Sequence, residues 1–120
     1  MSLNNQGKPS RIRSVYGHNT GTSTENVYTC PANCIAEVVF IHIVNGSVTT
    51  NTVTVEWYIA TDTSAAKILS TKSLTSTSSH VSLNNINLVL QSGDRVQVTP
   101  ANSGNIDTII TVTETFIPVG

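Results

Sequence analysis

The stretch Cys34-Ile35-Ala36-Glu37-Val38-Val39-Phe40-Ile41-His42-Ile43-Val44-Asn45 decides the fold. It is the strongest apolar run in the chain, and Val and Ile dominate it. β-branched side chains lose χ1 freedom in a helix and pack well on a pleated strand. The period-2 sets are Ile35, Glu37, Val39, Ile41 and Ile43 on one side, and Ala36, Val38, Phe40, His42 and Val44 on the other. Both sets are largely apolar, which predicts a central strand covered on both faces. Val39, Ile41 and Ile43 are expected in the core. Val38, Phe40 and Val44 are expected to face a subunit partner.

Outward from this run the same chemistry repeats. Asn45-Gly46-Ser47 marks a turn. Val53, Val55, Trp57 and Ile59 then alternate with Thr52, Thr54, Glu56 and Tyr58, a half-buried strand with the indole inward. Ile86, Leu88 and Leu90 alternate with Asn87, Val89 and Gln91, and Ser92-Gly93-Asp94 is a hairpin signal before Val96 and Val98. Ile110, Val112 and Phe116 share one face of a last strand that Glu114 interrupts. Towards the N-terminus, Val27 to Cys30 reads as a short strand stopped by Pro31. With the weaker stretches at Arg11–Tyr16 and Ala66–Ser82, the pattern predicts an all-β fold. It is a single antiparallel β-sandwich or jelly roll of about eight short strands. Residues 1–24 are expected to form an extended polar and basic arm and loop, and residues 25–120 the sandwich.

Composition agrees. Val, Ile and Thr account for 43 of 120 residues, and Ser, Thr and Asn for 44, while charged residues make up only 11%. The surface is therefore solvated by hydroxyls and amides. No run reaches the roughly 18 apolar residues of a membrane helix. The polar start, Met1 to Tyr16, lacks the apolar segment of a signal peptide. No membrane contact is expected.

The charge is unevenly placed. Lys8, Arg11 and Arg13 give residues 1–20 a balance of +3, whereas residues 21–120 carry Lys67, Lys72 and Arg95 against seven acids. The expectation is that the basic segment docks on an acidic partner surface. Nucleic-acid binding needs a larger basic area and stacking aromatics, and none is expected.

Motifs for chemistry are sparse. Cys30 and Cys34 lack the second pair a zinc site needs, and His18, His42 and His80 lie on separate elements, so no metal and no cofactor is expected. The cysteines read as small reduced fillers. His42 sits among apolar neighbours and reads as a hydrogen-bonded interior or interface histidine rather than a general base. No phosphate-cradling loop, dinucleotide fingerprint or paired carboxylates occur, and the chain is expected not to be an enzyme. Asn45-Gly46-Ser47 matches a glycosylation acceptor by chance.

Two stretches together carry a resemblance. Val27-Tyr28-Thr29-Cys30-Pro31-Ala32-Asn33 leads into a strand ending Val44-Asn45, followed by Val53-Thr54-Val55-Glu56. Leu88 to Val98 contains Leu90-Gln91-Ser92-Gly93-Asp94-Arg95-Val96-Gln97-Val98 and precedes Ser103-Gly104-Asn105 and a Thr-rich end. This layout resembles the small β-sandwich virion structural proteins of tailed bacteriophages. In that pattern a Y-T-x-P-A-N turn opens the sandwich and an L-x-x-G-D-x-V-x-V hairpin comes near the end. Cys30 stands where the pattern has Val. The resemblance implies a non-enzymatic virion protein made in the bacterial host cytoplasm. Its favoured role is head decoration, or cement, stabilising the assembled head, with neck, tail and tail-fibre parts as alternatives. The implied partners are copies of the chain, a trimer being favoured, and the major capsid protein or other virion proteins. From a different class, a carbohydrate-binding sandwich would need an exposed aromatic platform, which the inward Trp57 does not supply.

Overall fold

Strand formation follows the β-branched alternation, and the turns fall where Gly, Asn, Asp and Pro interrupt it. The computed structural model describes residues 9–76 and 80–117, and of residues 80, 81 and 84–87 the backbone only. Among these, eight strands follow in order: β1 (Ser10–Asn19), β2 (Glu25–Thr29), β3 (Cys34–Asn45), β4 (Asn51–Ile59), β5 (Ser64–Leu74), β6 (His80–Leu90), β7 (Arg95–Pro100) and β8 (Ile106–Phe116). They form two four-stranded sheets, ordered β1-β8-β3-β6 and β2-β7-β4-β5, with antiparallel pairing throughout. This order is the double Greek key of a jelly roll.

The core lies between the sheets. Ile41, Ile43, Val53, Val55, Leu90, Val96, Val98, Ile110 and Val112 are all buried there, and Leu88 and Trp57 pack at its margin. Ile59, expected inside, is only half-buried at the end of β4. β1 approaches β2 so closely that a Cβ on Gly17 would meet Val27 Cγ2 at 2.9 Å.

Four expectations need correction. Val39, expected in the core, is 41% exposed, while Val38, expected at the interface, is buried. The cause is a bulge. The β3–β8 and β3–β6 registers both shift between Val38 and Phe40. Cys34, Ala36 and Val38 face inward before it, and Ile41, Ile43 and Asn45 after it. One extra residue turns every later side chain to the other face. Phe116, also expected in the core, is exposed as the last residue of β8. Finally, part of the stretch read as an arm and loop is a sheet strand. Ser10–Asn19 pairs along its length with β8, while Lys8 lies outside the described residues.

The bulge makes a direct prediction. Val38→Ser should lower stability by about 2 kcal/mol or more, through lost burial and an unpaired hydroxyl. Val39→Ser should change it by less than about 0.5 kcal/mol. Urea midpoints decide the matter, and equal losses would place the bulge elsewhere.

Candidate interaction surface

Because β1 runs antiparallel to β8, its residues divide cleanly between two faces. Ile12, Ser14, Tyr16 and His18 point outward, and Arg11, Arg13, Val15, Gly17 and Asn19 point towards the interior. The outward residues extend rows that cross the whole sheet. Tyr16 aligns with Ile109, His42 and Ser82, and Ile12 aligns with Thr113, Glu37 and Val89. Ile12 is 73% exposed and Tyr16 80%, and Val39, Val89 and Ile109 are exposed beside them. Phe40 stacks on His42 with centroids 5.8 Å apart. Polar groups between these side chains are bonded to one another: Ser14 Oγ to Thr111 Oγ1 at 2.8 Å, His42 Nδ1 to Ser82 Oγ at 2.6 Å, and His18 to Asp107. The face thus combines exposed apolar side chains with several internally bonded polar pairs and one exposed carboxylate, Glu37. Of the residues expected at an interface, it holds Phe40 and Val44 but not Val38.

Arg11 and Arg13, both partly exposed, are engaged within the fold. Their inward parity brings both to Glu114, which has no solvent-exposed surface. Arg11 Nε donates to Glu114 Oε1 at 2.7 Å and Arg13 Nε to Oε2 at 3.0 Å. The Tyr28 hydroxyl, from β2, donates to the same Oε2. Arg13 also lies 5.8 Å from the centre of the Tyr28 ring. Burial by itself pushes the Glu114 carboxyl up. The Tyr28 and Arg11 hydrogen bonds and the two guanidinium charges outweigh it and hold the group below the ordinary value of 4.5. Burial, then the bond to Glu114, raises the Tyr28 phenol. The signal for this cluster was Glu114 on an inward parity, in a chain whose first 20 residues carry bases and no acid.

The remaining candidates resolve as structure. Cys30 and Cys34 are buried free thiols at the β2–β3 turn, and burial first, then Cys34, pushes Cys30 up to about 11. Asn45 is buried, and its amide donates to the carbonyls of Thr49, Leu74 and Thr75, so it is closed to glycosylation. Among the described residues no group of three or more His, Cys, Asp or Glu is placed to hold a metal ion.

Comparison with known proteins yields no matching family model and no matching curated protein. Solved structures do match. A chain from the acidic stable capsid of Helicobacter pylori bacteriophage KHP30 aligns with a TM-score of 0.57 and 16% identity, covering 94% of this chain and 91% of that one. A chain from the disulfide-linked pili of Bacillus endospore appendages aligns at 0.56 and 13%, covering 98% and 97%. A chain of the cyanophage Pam1 capsid asymmetric unit aligns at 0.46 and 18%, covering 98% and 91%. At these identities the likeness is one of fold.

The buried cluster makes a pH prediction. A carboxyl held below its ordinary value stabilises the fold above that value, and the gain is lost as pH falls through the folded-state value. Glu114→Gln should therefore cost about 1–3 kcal/mol at pH 7. Its deficit against the wild type should shrink as pH drops below about 4.5. Urea unfolding at stepped pH reads this, and a deficit that stays constant would rule out ionic coupling.

Proposed function

We propose that the chain is a structural subunit of a virus particle, and more specifically a bacteriophage capsid decoration protein that binds and stabilises the assembled head. The observation that carries this reading is the jelly roll matching the KHP30 capsid chain over 94% of the present chain and 91% of that one. The outer face of the β1-β8-β3-β6 sheet supports it with a surface suited to assembly. Burying one aliphatic or Phe side chain is worth about 1.5–3 kcal/mol. Association costs on the order of 4–15 kcal/mol. A single residue could not hold a complex, but Ile12, Tyr16, Val39, Val89 and Ile109 acting together could. The face is expected to meet a second copy in a closed oligomer, a trimer being favoured, or the shell itself. Lys8, in the sequence ahead of β1, adds a third basic charge to this proposed surface.

The pilus likeness does not shift the reading. Those pili are disulfide-linked, whereas Cys30 and Cys34 are buried here and the Cys30 thiol is pushed up to about 11. A thiol in that state yields little thiolate for cross-linking. Nor does the sugar-binding alternative gain support, since Trp57 is a single half-buried ring whose Nε1 already donates to Asp94, and the exposed Tyr16 lies on the other sheet.

The test joins light scattering after size exclusion to a pull-down on purified heads of the phage that encodes the chain. Wild type should be an oligomer that co-sediments with heads. The double variant Ile12→Asp/Tyr16→Asp should stay folded and lose at least one of these contacts. A monomer that ignores heads, or a double variant that behaves like wild type in both assays, would defeat the proposal.

A further inference from the structure

Between β5 and β6, the edge strands of opposite sheets, the sandwich holds an open cavity of about 410 Å3 lined by Trp57, Ala66, Lys67, Ile68, Leu83 and Leu88. Irregular backbone borders it on both sides. Val38 pairs with Leu88 and Phe40 with Asn84, so a two-residue step on β3 faces a four-residue step on β6. Across from it, Val55 pairs with Leu69 and Glu56 with Lys67, so β5 gains a residue beside Ile68. Extra residues bend a strand and interrupt its ladder. Here they fall beside Leu83, Leu88 and Ile68, which pack against the core yet stay half-buried.

The walls define what would fit. Trp57 pairs across the strands with Ala66, a side chain too small to cover an indole. The one polar atom of the indole is already used, because Nε1 donates to Asp94 Oδ2 at 3.1 Å. Asp94 is itself buried and also accepts from the backbone of Ala60 and Gln91, which fixes the ring. Lys67 is the one charged residue among the described lining residues, and its Nζ pairs with Glu56 Oε2 at 2.8 Å on the outer face of the sheet, where Gln97 donates to the other oxygen of Glu56. That pairing leaves no unpaired charge among the described lining residues to favour a charged ligand. A volume in the roughly 300–1,000 Å3 range, lined by apolar and aromatic side chains, suits a small molecule.

We propose that this cavity is a binding site for a small, uncharged aromatic or alicyclic molecule that packs against Trp57. The proposal does not depend on the virion reading, because binding would occur in a single folded protomer.

Trp57 is the chain's only tryptophan, so its emission reports on this site alone. The probe is the neutral dye N-phenyl-1-naphthylamine, titrated into the purified chain. The expected result is saturable quenching of Trp57 with a matching rise in dye emission. Ala66→Phe, which fills the site from an exposed position, should weaken binding by at least about tenfold. If that variant does not fold, Ala66→Leu is read the same way. Ile12→Ser, on the other sheet's outer face, should leave binding unchanged. The anionic analogue 1-anilinonaphthalene-8-sulfonate should bind more weakly than the neutral dye. Quenching that does not saturate, equal affinity in the filled variant, loss of binding in Ile12→Ser or preference for the anion would each overturn the proposal. So would a Trp57 emission that shifts with protein concentration alone, which would mean that a second copy covers the cavity. The head-binding assay reads separately, so failure of one proposal leaves the other standing.

Discussion

Glu114 is the constraint around which one side of the sandwich is arranged. Moving an ionised carboxylate out of water costs several kcal/mol unless charge and hydrogen bonds replace its hydration. Here the replacement comes from two strands, with Arg11 and Arg13 on β1 and Tyr28 on β2. β1 and β2 are the edge strands of opposite sheets. A carboxylate on β8 therefore ties together the two edges, adding to backbone pairing, the Val15 and Val27 contacts with the core and the bond from Asn19 Nδ2 to the Val98 carbonyl. The arrangement also explains the charge split along the chain. Two of the three bases in the basic segment, Arg11 and Arg13, meet an acid 103 and 101 positions away in sequence.

How much of this was legible depends on what reports parity. Thr52 to Ile59 alternates polar with apolar, and its buried side, Val53 and Val55, could be read directly. The Ile35–Val44 run has apolar residues on both sides, so no polar residue marks the point where the strand turns over at Val38–Phe40. A one-residue bulge inside such a run leaves no trace in the sequence, and Val38 and Val39 exchange places. Glu114 was visible as a break in the Ile110–Val112 face, but its partners lie at a separation that only the folded pairing of β1 with β8 defines. Phe116 follows the inward parity of its strand and is exposed because β8 ends there. The cavity beside Trp57 depends on register shifts in β5 and β6, which alternation does not encode.

The two outer faces of the sandwich differ in kind. On the β2-β7-β4-β5 sheet, polar groups are matched to one another. Glu56 takes Lys67 and Gln97, Arg95 lies 4.0 Å over the Tyr58 ring, and Thr24 bonds Thr99. Where charges are already paired, as at Glu56 and Lys67, a partner gains little electrostatically, and breaking that pair would offset a new one. On the β1-β8-β3-β6 sheet three polar pairs are likewise closed, but Ile12, Tyr16, Val39 and Ile109 stand between them in water. Covering that face releases water from apolar surface and leaves those pairs intact, while a partner must supply a group for the Glu37 carboxylate. The same strand, β1, thus serves both sides: its inward arginines hold it to the fold, and that anchorage keeps its outward Ile12 and Tyr16 in register with β8, as a contact surface requires.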